Sequence, residues 1–70
     1  MESTLFEVAW EYQFDAEVYH RRFREEERAS RFFDSLQALG GLEWISFSHY
    51  LRTEMYRREL LTEWVRGVQG

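Results

Sequence analysis

Two histidines, thirteen acids and nine bases, every base an arginine, make up the charged and imidazole side chains of this 70-residue chain. His20 and His49 are the only imidazoles, and no cysteine is present. A zinc site asks for three or four protein ligands, so no metal or other cofactor is expected. His20 beside Glu11 offers a base oriented by a carboxylate, but no nucleophile or oxyanion hole is marked near it. A solvated cross-strand pair is the simpler reading, and no enzymatic activity is expected. The one glycine pair, Gly40-Gly41, follows a helical pattern instead of opening one, so it is not a phosphate loop.

Arginine and aromatic residues carry more information. Arg21, Arg22, Arg24, Arg28 and Arg31 fall within eleven residues, with Tyr19, Phe23, Phe32 and Phe33 among them. Such a mixture can clamp and stack on single-stranded nucleic acid. Glu25, Glu26 and Glu27 lie inside the cluster and nearly neutralise it, and the net charge is −4. Direct nucleic-acid binding is therefore not expected. Six Phe, four Tyr and three Trp together can bury on the order of 2,000 Å². That is a large ring supply for a small core, and it points to a contact surface as well as an interior.

The elements that must position these groups follow from periodicity. Phe6, Val8, Trp10, Tyr12 and Phe14 alternate with Glu7, Ala9, Glu11 and Gln13, which reads as a half-buried strand. A turn at Asp15-Ala16 would pair residues whose numbers sum to 31. Trp10 would then face Arg21, Glu11 would face His20, and Glu7 would face Arg24. Ala29, Phe32, Phe33, Leu36 and Leu39 recur at helical spacing. Acids at 25–27 suit the first turn, and Gly40-Gly41 suits the end. From Leu42 the alternation returns, with Ile45, Phe47 and Leu51 on one face and Trp44, Ser46, Ser48 and Tyr50 on the other.

The final segment supports two readings. As a helix capped by Thr53 and stopped by Gly67, it gathers Tyr56, Leu60, Leu61, Trp64, Val65 and Val68 on one stripe, and this is the reading preferred. As a strand, it would set Leu60 opposite Phe47. The expectation is one α+β domain over residues 1–70, with an antiparallel three-stranded sheet of order 2-1-3 packed on one or two helices (ββαβα). The alternative is ββαββ. With both helices on one side, the opposite sheet face would present Trp44, Tyr50, Arg22, His20 and Glu11 as a partner-binding surface.

No apolar run approaches the roughly 20 residues of a membrane span, and Met1-Glu2-Ser3-Thr4 has no signal-peptide character. A cytoplasmic protein with no membrane partner is expected.

Leu5-Phe6-Glu7-Val8-Ala9-Trp10-Glu11 resembles the strand that opens the catalytic domain of animal and fungal glycogen synthases. That family continues into a Gly-Gly sugar-nucleotide loop, whereas this chain continues Tyr12-Gln13-Phe14-Asp15, so no activity is carried over. More generally, the small size, acidity, aromatic content and hairpin-then-helix layout resemble short accessory proteins of phages and mobile elements in GC-rich bacteria. The absence of Lys and Asn beside abundant Arg and Glu agrees with a GC-rich source. The likeness implies a non-enzymatic inhibitor or adaptor that binds a larger protein or protein–nucleic-acid complex, as anti-CRISPR proteins do. Homo-oligomeric assembly and acidic mimicry of nucleic acid are the alternatives.

Overall fold

The computed structural model describes residues 3–52 and 56–67. Five elements follow in order: β1 (Ser3–Tyr12), β2 (Val18–Phe23), α1 (Glu26–Leu39), β3 (Leu42–Arg52) and β4 (Tyr56–Val65). The four strands form one antiparallel sheet of order β2-β1-β3-β4. The architecture is thus α+β with the ββαββ order, and the preferred ββαβα reading is corrected. The expected 2-1-3 order survives inside the larger sheet.

The last segment is a strand that pairs with β3 from Trp44 to Arg52 and satisfies that strand's outer backbone groups. The alternation of β4 is hidden by a bulge. Phe47 pairs with Thr62 while the next residue, Ser48, pairs with Leu60, so Leu61 is the extra residue. Arg58 and Leu60 share a face with Glu63 and Val65, whereas a regular strand would have split them. The strand reading's Phe47–Leu60 pair is displaced for the same reason. Gly67, at φ 82°, follows the end of this strand and stops no helix. The proposed Thr53 cap lies outside the described residues.

The first hairpin forms with a register two residues from the expected one. Observed partners sum to 29: Val8 with Arg21, Trp10 with Tyr19, Glu7 with Arg22 and Ala9 with His20. A shift of two keeps every side chain on its expected face and changes only its neighbour. The cause is the connection. Residues 13–17 replace a two-residue turn, and Asp15 organises them. Its carboxylate accepts the Glu17 amide at 3.0 Å and the Tyr19 hydroxyl at 2.5 Å. The Asp15 amide donates to the Tyr12 carbonyl at 3.3 Å.

Helix α1 begins in acids, as expected, and its C-terminal Gly40 has φ 77° and donates its amide to the Leu36 carbonyl. Ala29, Phe33 and Leu36 are buried against Val8, Leu42, Ile45 and Phe47. Leu39, expected on the apolar stripe, is exposed. A 14-residue helix is about 21 Å long, whereas the 11 residues of β3 extend about 36 Å. The helix therefore covers only part of the sheet. It lies over β1, β2 and β3, and no α-carbon of α1 comes within 8 Å of one in β4; the molecule is elongated at 40 × 24 × 21 Å.

Most rings serve this core. Phe14, Tyr12, Tyr19, Trp10, Phe32 and Phe23 form a continuous series of ring contacts at 5.3–5.9 Å. Phe47 bridges Phe6 and Phe33 at 6.1 Å to each. Phe14, at the outer end of that series, is exposed, whereas Phe6, Trp10, Tyr12, Phe23, Phe32, Phe33 and Phe47 belong to the core or pack on it.

Candidate functional site

The sheet face opposite α1 is covered by no other element among the described residues. Strand alternation directs Glu7, Ala9 and Glu11 of β1, Arg22 and His20 of β2, and Trp44, Ser46, Ser48 and Tyr50 of β3 onto it. Small side chains form its floor: Ala9, Ser46 and Ser48 are buried, both serines completely. Taller neighbouring side chains cover them, so the small residues do not reach the surface of the face.

The structure divides the five expected site residues into groups. Arg22 and Tyr50 are brought together by a residue the sequence reading did not single out, Glu7. Its carboxylate is buried and accepts from Arg22 Nε at 3.1 Å and from the Tyr50 hydroxyl at 3.4 Å. Held this way, the Arg22 guanidinium sits 5.8 Å from the Tyr50 ring centroid, a cation–π arrangement. Trp44 and Glu11 are direct cross-strand partners, and the Trp44 indole donates to Glu63 Oε2 at 2.7 Å. His20 is exposed and pairs with Ala9, while Glu11 pairs with Val18. The expected Glu11–His20 facing pair is corrected by the two-residue register shift, which leaves the two on a diagonal.

Arg58 was also missed, because the helical reading gave β4 no role on this face. Its Nε donates to Ser48 Oγ at 3.1 Å. Ser46 Oγ is buried without a hydrogen-bond partner. One signal for Glu7 was available: both the expected register and the observed one set this central acid opposite an arginine, Arg24 or Arg22.

Elsewhere, the expected Trp10–Arg21 contact is replaced. Arg21 lies 5.2 Å from the Phe23 ring centroid and 5.3 Å from that of Phe32. Glu25 and Glu27 pair with Arg28 and Arg31 along the helix, as the spacing implies. They therefore do not stand as a bare acidic stripe. His49 stacks on Phe6 at 4.7 Å with nearly parallel planes. Among the described residues no group of three or more His, Asp or Glu is placed to hold a metal ion. No helix among them is long and apolar enough to cross a membrane.

Compared with protein-family models, with characterised proteins and with solved structures, the chain finds no match in any of the three.

Proposed function

We propose that the protein is a non-enzymatic binding protein that occupies a surface of a larger macromolecular partner through the sheet face opposite α1. One observation carries the reading: Arg22 and Tyr50 are held in contact by the buried Glu7 carboxylate before any partner arrives. Tyr, Trp and Arg supply most hot-spot energy in protein interfaces. Fixing their rotamers in advance lowers the entropy lost on docking. Trp44, Tyr50, Arg22, His20 and Glu11 are the proposed contacts, with Glu7 beneath them as a positioning residue. Inhibition of a host machine, as anti-CRISPR proteins achieve it, is the most specific form of this reading. It rests on the general likeness in size, acidity and aromatic content alone, and it implies a cytoplasmic partner.

The test is an alanine scan of those five positions against the partner recovered with the unaltered protein. Trp44→Ala or Tyr50→Ala should weaken binding by at least about tenfold, or 1.4 kcal/mol. Arg31→Ala, on the exposed helix surface, should leave it unchanged. Equal affinity across all five variants would reject the face.

A second reading, self-association, is favoured by β4. This edge strand carries Leu60, Leu61 and Trp64 at 51%, 42% and 38% exposure. Exposed apolar edges invite pairing with another strand. Sedimentation at several concentrations decides it: a dimer that Leu61→Lys dissociates supports homo-oligomerisation, and a monomer throughout excludes it.

A further inference from the structure

Where β2 passes into α1, a cavity of about 300 Å³ is lined by Arg21, Arg22, Phe23, Arg24, Glu25 and Arg28. Four of its six residues are arginines, and their charges are unequally neutralised. Arg22 is paired with Glu7, and Arg28 with Glu25 at 3.6 Å. Among the described residues Arg21 and Arg24 pair with no carboxylate. Arg21 instead rests on Phe23 and Phe32, which fixes its planar fork without consuming its charge. Two positive charges thus remain at the cavity. The first turn of α1 adds to them. Glu25 precedes the helix in an extended conformation and supplies no side-chain cap, so the first amides lack a side-chain acceptor. Glu26 lies at the start of the helix but does not line the cavity.

We propose that this cavity binds a phosphate monoester. Arginine forks match the oxygens of phosphate in bidentate fashion, and a monoester carries about −1.5 to −2 charge at neutral pH. That value balances the two guanidinium groups left over. A carboxylate or a phosphodiester would neutralise only one of them. The cavity is half open to solvent, which leaves room for the esterified group. This site lies at the β2 edge and shares only Arg22 with the surface proposed above, so either can fail without the other.

The experiment is an NMR titration of ¹⁵N-labelled protein with inorganic phosphate, a nucleoside 5′-monophosphate, the same nucleoside without phosphate, and dimethyl phosphate. The expected result is saturable shifts of the Arg21 and Arg24 Nε–H groups and of the Glu26 and Glu27 amides. The dissociation constant with a phosphate monoester should be about 1 mM or tighter. Arg24→Gln, altering an exposed side chain, should weaken binding about tenfold, and Arg31→Gln, outside the cavity, should leave it unchanged. Tighter binding of the nucleotide than of inorganic phosphate assigns the remaining volume to the nucleoside; equal binding assigns recognition to the phosphoryl group alone. The proposal is overturned by shifts that never saturate, by equal weakening in Arg24→Gln and Arg31→Gln, or by dimethyl phosphate binding as tightly as the monoester.

Discussion

Substituting glutamine at Glu7 and Arg22, singly and together, measures how firmly the open face is organised. The Arg22 side chain is 60% exposed and that of Glu7 9%, so one charge is screened by water and the other is not. A fully exposed pair contributes about 0–1 kcal/mol, and breaking a fully buried one costs about 3–5 kcal/mol. The mixed burial, with Nε to oxygen at 3.1 Å, sets the expected coupling at about 1–1.5 kcal/mol. The Tyr50 hydroxyl, at 3.4 Å, adds little. The Glu27–Arg31 pair serves as an internal standard, because both side chains are about three-quarters exposed (73% and 75%). Helical pairs of that kind yield about 0.3–0.5 kcal/mol. Urea denaturation of the four proteins in each cycle gives both couplings from shifts in midpoint. Moderate salt should erode the helical value more than the sheet value. A sheet coupling no larger than the helical one would refute the argument that buried Glu7 holds Arg22 over Tyr50.

Other consequences are equally open to measurement. Ile45 is completely buried, so Ile45→Ala should cost about 2–5 kcal/mol, whereas Leu39→Ala on the exposed helix end should stay within about 0.5 kcal/mol; thermal melts compare them directly. Gly40 has φ 77° and ψ −171°, with open space where a Cβ would stand. Gly40→Ala should therefore lose about 1–3 kcal/mol through backbone strain alone, and a loss near zero would contradict the assigned conformation. The hydrogen bond to Asp15 pushes the Tyr19 phenol up to about 12 and, from the other side, lowers the Asp15 carboxyl. Both shifts follow one sign rule, each protecting the protonation state that the bond requires. Stability from Tyr19 is present below pH 10 and fades as pH rises toward 12, while that from Asp15 is present above about pH 4 and fades as pH falls. An alkaline absorbance titration should show a late-titrating component that Tyr19→Phe removes.

Period-two and period-3.6 patterns made β1, β2, α1 and β3 legible, because each buries one face against a single neighbouring layer. They also placed the five candidate contacts on one side of the sheet, since a register error of two preserves faces. Two local features lay beyond the pattern. Asp15 lengthens the first turn through side-chain bonds to Glu17 and Tyr19, which a scan of turn-forming residue types does not anticipate. The bulge at Leu61 scrambles the alternation of β4, so its apolar residues mimic a helical stripe. That second error hid Arg58 and its bond to Ser48 on the open face.

The placement of β1 has a consequence during synthesis. It leaves the ribosome before the other strands, yet it occupies the interior of the sheet and needs residues 42–52 on one flank. The early hairpin and helix must wait with a naked β1 border until residues 42–52 have been made, roughly seconds at cellular elongation rates. A nascent chain stalled before β3 should therefore be the species that a chaperone captures or that clumps with its own kind.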